Sequence, residues 1–468
     1  MGWRWRWELP LPLNCRQIHD YLGLPLLPIV QDIGLRGLPI DLSRQSDMLM
    51  GLTARLAALD AALARDGIFD ANSNAKLAFQ LRERGVPLTE RTEGGTQFKV
   101  DAEVLGKKNW EWNTSREAAG KVPRFPFLIP LLQRARLSKA RENIQSLGVC
   151  NDGLLRTALK ACHTKTARYA SSGFGRKNKP GFCPVCRTWG AHGTNLQNIS
   201  RGCSICGSAP AKCRCEGGGI HIKSLFTSWP GWRLGEWDYA ALELRVMAYR
   251  ISSTKLIERL ENGVDLHTLH ANLMFPGLEI TTRRRTLAKN FIYAVRGGGG
   301  NRAVQQVLAK QGEYVELSEI QGWRLAIFSE YPEIEAWINE TAAALSLQGW
   351  LGHRRVLYNA FGRPRVFLGY APLKEALAFE ISGTAADIMN FVALRLAYYQ
   401  PDVMQYIAMQ VHDSFIIHAP EEEFAPTMLA VKREMERTVL HWDRDVVYPA
   451  EAKAGERWSH LQEWKEAA

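Results

Sequence analysis

Two aspartates lie where the sequence pattern changes, and they limit the folds that this chain can adopt. In WRLGEWDYAALELR, Asp238 follows a strand-like run and precedes a helix-like run, and in IAMQVHDSFIIH, Asp413 separates two runs rich in β-forming residues. The pattern predicts Asp238 at the junction of a strand and a helix and Asp413 in a hairpin turn. A single aspartate in such a position is more often a cap or turn residue, but two of them together could hold divalent cations.

The segment RRRTLAKNFIYAVRGGGG, between the two aspartates, has the period of an amphipathic helix. At about 100° per residue, its basic and apolar side chains segregate onto opposite faces. The first face contains Arg285, Lys289, Tyr293 and Arg296, and the second contains Leu287, Ala288, Phe291, Ala294 and Val295. A solvated basic face is the simpler interpretation. The alternative is a site for a triphosphate, which arginine binds bidentately and lysine binds as a compact charge.

The composition favours a polyanionic partner. The 468 residues include 59 Lys and Arg against 48 Asp and Glu, which gives a formal net charge of +11, and neutralising phosphates releases condensed counterions. Basicity alone is weak evidence, because many basic globular proteins bind no nucleic acid. No apolar run approaches the roughly 18 residues of a membrane span, so we expect a soluble, cytoplasmic protein without a membrane partner.

Six of the nine cysteines lie between Cys183 and Cys215, in a Gly- and Lys-rich segment of about residues 173–219 that we interpret as an insertion. Two CxxC pairs separated by 16 residues have the spacing of a zinc ribbon, in which each pair presents two thiolates to a tetrahedral ion. The predicted ligands of a structural Zn²⁺ are Cys183, Cys186, Cys203 and Cys206, with Cys213 and Cys215 as alternatives and His163 and His192 as candidates for a second site. The other interpretation is a mobile loop with reduced cysteines.

Three segments in this order, DYAALELR, RRRTLAKNFIY and VHDS, resemble the polymerase motifs of the family A DNA polymerases, the DNA polymerase I group, and resemble the phage members most. The resemblance runs from about residue 28 to the end. NLQNISRG resembles a palm segment that contacts primer and template, and ANSNAKLAFQLRERGVPL resembles part of the thumb. The resemblance implies an α/β (α+β) right-hand fold: an antiparallel palm sheet, helical fingers and a helical thumb, plus the small zinc-ribbon-like insertion.

The resemblance also implies a division of the chain. The expected parts are an N-terminal extension (1–27), a palm entry helix (28–44), a thumb (45–152), a palm segment that includes the insertion (153–250), fingers (251–385) and the C-terminal part of the palm (386–468). Within the thumb, residues 91–127 are polar and expected to be loop-like. Because the resemblance begins so near the first residue, we expect no exonuclease in this chain, and an exonuclease or replication protein would be a separate partner.

The resemblance gives the reacting groups their roles. Asp238, Asp413 and the backbone carbonyl of Tyr239 would bind two Mg²⁺ ions that align the primer 3′-hydroxyl with the α-phosphate of a deoxynucleoside triphosphate. Three side chains would bind the triphosphate, and the lysine among them would also assist catalysis: Arg285, Lys289 and His267.

Other residues would recognise the sugar and the nucleic acid. Glu243 would exclude ribonucleotides, although a surface ion pair with Arg245 is the simpler interpretation. Tyr293 would lie near the sugar and tolerate dideoxynucleotides, although it could equally pack on a helix face. The residues that would contact primer–template DNA without sequence preference are Arg168, Asn195, Gln197, Asn198, Gln410 and His412.

The chain departs from the family pattern at several positions. Ser414 replaces a glutamate, Gly297 replaces a tyrosine at the end of the fingers helix, Ser382 replaces a glutamine, and AALELR lacks a Ser-Gln pair. The implied function is still DNA synthesis by two-metal nucleotidyl transfer, in replication or repair, by a monomer in a bacterial or phage-infected cell. The alternatives are a single-subunit RNA polymerase, against which Glu243 argues, and an inactive zinc-containing nucleic-acid-binding protein.

Overall fold

The computed structural model describes residues 12–465 except positions 93, 119, 162–163, 165, 175–180, 186, 188, 191–194, 200–201, 206–209, 216–218, 310–312, 351–354, 368–372, 438, 441 and 443–445. The strands, in chain order, are β1 (Leu38–Pro39), β2 (Leu154–Leu155), β3 (Ala158–Lys160), β4 (Ala170–Ser172), β5 (Gly181–Phe182), β6 (Trp189–Gly190), β7 (Trp232–Tyr239), β8 (Arg355–Tyr358), β9 (Pro364–Phe367), β10 (Ile407–Val411), β11 (Ser414–Pro420), β12 (Ala450–Gly455) and β13 (Gln462–Glu463).

Five strands form an antiparallel sheet in the order β10-β11-β7-β12-β13, which confirms the predicted antiparallel sheet. The central strand, β7, is the first of these five strands in the sequence. Its neighbours in the sheet, β11 and β12, come much later in the chain. In β7, side chains alternate between two faces, as the pleat requires. Trp237 and Tyr239 pack into one hydrophobic core, whereas Leu234 packs into a second core on the opposite face.

Helices cover both faces of the sheet. In chain order they are α1 (Cys15–Gln17), α2 (Leu24–Arg36), α3 (Leu42–Arg65), α4 (Asn74–Glu83), α5 (Ala102–Asn109), α6 (Ser115–Ala118), α7 (Leu128–Gln145), α8 (Leu242–Arg250), α9 (Thr254–Glu261), α10 (Leu266–Met274), α11 (Thr282–Arg296), α12 (Asn301–Ala309), α13 (Leu317–Glu330), α14 (Pro332–Trp350), α15 (Leu373–Tyr399), α16 (Pro401–Met404) and α17 (Glu421–Glu436). Two π-helical turns, Ile18–Gly23 and Trp110–Thr114, join α1 to α2 and α5 to α6.

The longest helix, α15, is a core element. Its 27 residues include a window with a mean hydropathy of 1.3, which is long and apolar enough to cross a membrane by length and composition. The expectation that no segment approaches such a length is therefore wrong. However, 94% of this window is buried inside the protein, where it packs beside α8, α14 and α17. The pattern is that of a helix at the centre of a large hydrophobic core.

The helix expected at residues 28–44 has other boundaries. It begins earlier, at Leu24, and ends at Arg36, because Gly37 adopts φ +78° and a side chain there would meet the Leu155 carbonyl oxygen at 2.8 Å. Only glycine adopts this conformation without strain next to so close a neighbour. The following helix begins at Leu42, where the Asp41 side chain accepts a hydrogen bond from the Arg44 N–H at 2.9 Å.

Residues 91–127 are more regular than their polar composition predicts. They contain α5, a π-helical turn and α6, and the prediction of a loop is wrong for these helices. The local sequence does not indicate these helices, because a contact with another part of the chain stabilises this segment. Trp110 stacks on Tyr314, with ring centroids 5.0 Å apart. Aromatic stacking between residues this distant in sequence adds stability that local propensity does not register.

Candidate active site

The two aspartates meet at one end of the central strands. Asp238 is the penultimate residue of β7, and its partner across the sheet is Ser414, the residue that follows Asp413. The backbone N–H of Tyr239 donates to the Asp413 carbonyl oxygen at 3.2 Å. His412 adopts φ +54° in the two-residue turn that precedes β11, as a tight hairpin requires. Both local predictions, the strand end and the hairpin, are confirmed.

A cluster of charges lies beside this pair. The Glu243 carboxylate on α8 forms ion pairs with Arg168 and with Arg296, and it accepts a hydrogen bond from the Ser382 hydroxyl at 2.6 Å. Arg168 also lies 3.7 Å from the Asp413 carboxylate, measured from Nη2 to Oδ1. The cluster therefore links the loop before β4, the helices α8, α11 and α15, and the hairpin that contains Asp413.

The sequence did not indicate the partners of Glu243. An ion pair with Arg245 was the simpler interpretation, but the Arg245 side chain instead donates to the carbonyl oxygens of Ala240 and Leu260, each at 3.0 Å. That interpretation is wrong because Arg245 is buried on the other side of α8. Ser382, noted only as a departure from a family pattern, is the hydroxyl donor to Glu243.

The environment of Glu243 predicts a pH-dependent contribution to stability. Burial alone would raise the pKa of this carboxyl group, but Arg296 and Arg168 outweigh burial and lower the pKa from 4.5 to about 2. A lowered pKa stabilises the fold above the unfolded-state value, and the contribution is lost as the pH falls from about 4.5 toward 2. We expect Glu243→Gln to reduce the free energy of unfolding at pH 7 by about 3 kcal/mol, at about 1.4 kcal/mol per pKa unit.

Urea denaturation at pH 7, 4 and 3 tests this expectation, because the difference between the wild type and Glu243→Gln should narrow as the pH falls. The matched control is Glu421→Gln. Glu421 pairs with Arg233 at 3.2 Å, but its side chain is 61% exposed, and such surface pairs contribute roughly 0–1 kcal/mol. Equal losses in the two variants, or a loss in Glu243→Gln that does not depend on pH, would contradict the assignment.

The amphipathic helix is confirmed as α11. Leu287, Ala288, Phe291 and Val295 are buried, whereas Arg285 and Lys289 are exposed on the basic face. The Arg296 guanidinium lies over the Tyr293 ring at 4.2 Å from its centroid, and the Lys289 ammonium lies at 6.0 Å. The basic face therefore presents two exposed cations and one aromatic ring held by a third cation.

Two residues at the start of α10, its N-cap Asp265 and His267, complete this face. Asp265 forms a bidentate ion pair with Arg285, at 2.7 and 2.9 Å, which holds the pKa of the Asp265 carboxyl well below its usual range. The His267 ring lies 6.3 Å from the Tyr293 ring, centroid to centroid. Burial, reinforced by Lys289 and Arg285, lowers the pKa of His267 to about 4, so His267 is a neutral imidazole at pH 7. The Asp265 pair could not be predicted from the sequence, because its partners belong to separate segments, the N-cap of α10 and the first turn of α11.

The segment predicted to contact nucleic acid packs beside the hairpin. The Ser171 hydroxyl donates to the Asn195 side chain at 2.7 Å and accepts from the Gln197 N–H at 3.3 Å. The Gln197 amide lies 3.4 Å from that of Gln410, which in turn donates to the His412 carbonyl oxygen. Asn198 belongs to the same 3₁₀ turn, but its side chain lies outside the described residues. Tertiary structure thus brings together residues about 200 positions apart, Gln197 and Gln410, in a buried contact beside the hairpin.

The described cysteines form two close contacts, and one of them involves a cysteine that the sequence left open as an alternative ligand, Cys215. Cys183 lies against Cys150, with the sulfur atoms 3.7 Å apart, whereas Cys203 lies 3.9 Å from Cys215. Cys186, Cys206, His163 and His192 lie outside the described residues. The predicted site of Cys183, Cys186, Cys203 and Cys206 therefore stays a prediction, because two of its four ligands are not described. Burial raises the pKa of Cys150 to about 12, which keeps this partner of Cys183 protonated.

The departures from the family pattern leave the aspartate pair intact. The Ser414 hydroxyl donates to the Val411 carbonyl oxygen at 2.9 Å and lies 3.3 Å from Glu236, so it supports the hairpin from within the sheet. Gly297 has room for a side chain, since an added Cβ would meet no atom closer than 3.5 Å. Steric crowding at Gly297 therefore does not explain why the chain lacks a tyrosine there.

A family model described as DNA polymerase family A matches residues 190–460. The chain is 25% identical to DNA polymerase I of Chloroflexus aurantiacus over 472 residues, which cover 95% of this chain and 44% of that protein. It is 25% identical to the thermostable DNA polymerase I of Thermus aquaticus over 454 residues, which cover 94% of this chain and 48% of that protein. The chain thus spans about half the length of the curated relatives that it matches.

A solved structure shares the fold. It is described as the POL domain of Pol1 from M. smegmatis in complex with DNA primer-template and dNTP, and it has a TM-score of 0.74 at 22% identity, with 95% of this chain and 71% of that chain covered. The family match covers more than half of the 468 residues, including the central strand of the sheet, the basic helix and the hairpin. The chain belongs to DNA polymerase family A.

Proposed function

We propose that this protein is a DNA-directed DNA polymerase that adds deoxynucleotides to the 3′-hydroxyl of a primer. The observation that carries the proposal is the register in which Ser414 is the partner of Asp238, because it sets Asp413 beside Asp238 at one strand end. Relatives described as DNA polymerase I and a similar structure in complex with primer-template and dNTP support it. The chemistry then follows from the groups around the two carboxylates.

The donor set fits divalent magnesium. Asp238, Asp413 and the Tyr239 carbonyl offer hard oxygen donors at one end of the sheet, which is the ligand type that Mg²⁺ prefers. When bound there, a pair of such ions would stabilise charge on the attacking and leaving oxygens. In the protein itself, Arg168 lies 3.7 Å from Asp413 and partly neutralises the carboxylates. We propose that Arg168 then contacts the primer–template, together with the residues around Gln197 and His412.

The basic face of α11 would receive the triphosphate. Lys289 is exposed and would offer a compact charge, and His267, neutral at pH 7, would act as a hydrogen-bond donor. The His267 Nδ1 atom is buried and has no hydrogen-bond partner within the described part of the chain. A buried polar atom of this kind is costly unless a ligand satisfies it. Arg285 would contribute after exchanging Asp265 for phosphate oxygens.

This exchange predicts an effect of Asp265 on nucleotide affinity. The Arg285 and Asp265 side chains are 44% and 46% exposed, so their ion pair is worth roughly 1 kcal/mol or less. We expect Asp265→Asn to lower the KM for deoxynucleotides by about two- to fivefold with kcat unchanged. The asparagine keeps a side-chain oxygen that can accept the hydrogen bond from the backbone N–H of His267 at the start of α10. Steady-state extension on a primed template measures both constants.

The control for Asp265→Asn is Glu313→Gln. Glu313 forms a bidentate ion pair with Arg283, and both hydrogen bonds are 2.8 Å long. Arg283 lies on α11, the same helix as Arg285. Because Arg283 is not on the face that contains Lys289, this variant should leave the KM unchanged. A KM that rises in Asp265→Asn would show that the carboxylate orients Arg285 instead of competing for it.

Glu243 and Tyr293 would recognise the sugar. The Glu243 carboxylate is fixed by Arg168, Arg296 and Ser382, so it would form a rigid wall near the 2′ position. A fixed group excludes a larger substrate better than a mobile one. Tyr293, held against Arg296, would lie near the 3′ position and tolerate dideoxynucleotides.

The experiment that tests the proposal is primer extension with magnesium, comparing deoxynucleotides with ribonucleotides. Extension with deoxynucleotides alone supports the proposal. Preferential use of ribonucleotides would indicate a single-subunit RNA polymerase, and DNA binding without extension would indicate an inactive binding protein. We further propose that the enzyme acts as a monomer in the cytoplasm of a bacterial or phage-infected cell, that it is phage-type, and that its cysteine-rich insertion contains structural zinc.

A further inference from the structure

A cluster of soft ligands lies where the cysteine-rich insertion returns to the sheet. The sulfur atoms of Cys203 and Cys213 and a ring nitrogen of His221 all lie within 4.8 Å of one another. The Cys215 sulfur lies 3.9 Å from that of Cys203, but it is not within 4.8 Å of all three of these atoms. A disulfide would require about 2.05 Å, whereas two thiolates bound to one tetrahedral zinc stand about 3.8 Å apart, given Zn–S bonds of about 2.3 Å. The distance between Cys203 and Cys215 fits the second case.

The backbone around the cluster is arranged for a thiolate. The N–H groups of Ile205 and Ile220 point at the Cys203 sulfur, at 3.4 and 3.3 Å, and Cys203 is 2% exposed. Donors of this kind orient a metal-bound sulfur and offset its negative charge. Gly219 closes the cluster with φ +74°, and a Cβ there would lie 2.5 Å from the Cys213 sulfur and 2.7 Å from the Cys203 sulfur. The glycine at position 219 therefore leaves the space beside the two sulfur atoms open, whereas any other residue would place its Cβ there.

We propose that Cys203, Cys213 and His221 bind one structural Zn²⁺ and that Cys215, beside Cys203, approaches as the fourth ligand when the ion binds. Three thiolates and one imidazole are a common tetrahedral set for zinc, and four protein ligands leave no open position for catalysis. The site differs from the zinc ribbon expected from the two CxxC pairs, because it uses one cysteine of those pairs, both later cysteines and a histidine that has no CxxC context. No spacing rule identifies His221, which approaches Cys203 only through the fold.

The proposed ion would join the insertion to the base of the α3–α7 helix pair. Next to Cys203, the Ile205 carbonyl accepts a hydrogen bond from Arg136 of α7 at 3.3 Å. Next to His221, the buried turn Ile222–Leu225 accepts from the Asp41 N–H at 2.9 Å, through Leu225, at the start of α3. Both connections pack into the core that also contains Leu196, the residue before Gln197.

This arrangement predicts what loss of the ion does. Where the protein acts as the polymerase proposed above, removing zinc would loosen the surface around Gln197 that contacts primer and template, but not the aspartate pair. We expect the Kd for primer–template to rise about tenfold, equivalent to about 1.4 kcal/mol, with the extension rate at saturating DNA changed by less than about twofold.

The direct test is metal content and cobalt spectroscopy of the full chain. The zinc content of the purified protein should fall by about one ion per chain in Cys213→Ser and in His221→Ala. With Co²⁺ in place of zinc, the wild type should show the intense visible absorption of a tetrahedral thiolate site. His221→Cys should retain the ion but shift the spectrum toward a four-thiolate site, which a purely structural role for His221 would not produce.

Two controls separate the site from folding and from catalysis. Cys15→Ser, at an exposed cysteine outside the cluster, should leave metal content and spectrum unchanged. Asp238→Ala should also leave them unchanged, so a failure of the proposed polymerase activity and a failure of the zinc site give different results. Thiol alkylation followed by mass spectrometry adds a measurement that does not require a stable variant: zinc should protect Cys203, Cys213 and Cys215 until a chelator is added, whereas Cys15 should react in both conditions.

Several results would overturn the proposal. These are a wild-type protein without zinc, a disulfide mass for any pair within the cluster, or an unchanged cobalt spectrum in both His221→Cys and Cys213→Ser. The last result would assign the ion to other cysteines of the insertion.

Discussion

Replacement of Asp238 or Asp413 by alanine is expected to abolish primer extension, with a fall in rate of at least about 10³-fold. The reason is the shared strand end: Asp413 directly precedes the partner of Asp238, so each carboxylate would be half of the proposed cation-binding site. Loss of either half removes several kcal/mol of charge stabilisation, at one factor of ten per 1.4 kcal/mol. Single-turnover extension at saturating magnesium and nucleotide measures the effect.

The matched control for the aspartates is Glu236→Gln. Glu236 lies two residues before Asp238 on the same strand and therefore on the same face, and it lies 3.3 Å from the Ser414 hydroxyl. The amide retains an acceptor for that hydroxyl, so extension should change little. If Asp238→Ala and Asp413→Ala retained wild-type rates while binding DNA normally, the chemistry would have to lie elsewhere and the proposed function would fail.

Lys289→Ala is expected to show the second largest effect, a fall of about 10²- to 10³-fold in extension rate. Removing one preorganised group that stabilises developing charge typically costs this much. Lys289 is exposed on the basic face of α11, and its ammonium lies 6.0 Å from the Tyr293 ring. We expect kcat to fall more than nucleotide affinity, because the charge on the leaving group increases as the bond breaks.

Arg283→Ala is the control for Lys289→Ala. It removes a cation from the same helix, but the Arg283 guanidinium is already bound by Glu313 away from the Lys289 face. The extension rate should change by less than about fivefold, because a surface ion pair of this kind contributes roughly 1 kcal/mol or less. Similar losses in both variants would indicate that α11 contributes net positive charge and not a positioned side chain.

The sequence by itself determined the local structure that supports the site. Apolar spacing defined α11 with Leu287 and Phe291 buried, and the two β-rich runs around Asp413 defined its hairpin. These features depend on periodicity and turn preference within about 10 to 20 residues, so they can be read without knowledge of the fold. The polar stretch at residues 91–127 shows the limit, because its helices depend on a partner such as Tyr314 in a distant segment.

Only the tertiary structure decided which side chains face one another. The ion pairs of Glu243 with Arg168 and Arg296, and the approach of His221 to Cys203, join residues whose separation along the chain carries no signal. Such contacts depend on how strands pair and helices pack across the whole molecule. The order and spacing of residues in the sequence therefore determined which side chains were available for chemistry. The packing of the tertiary structure determined which of them share a site and which charge each of them carries there.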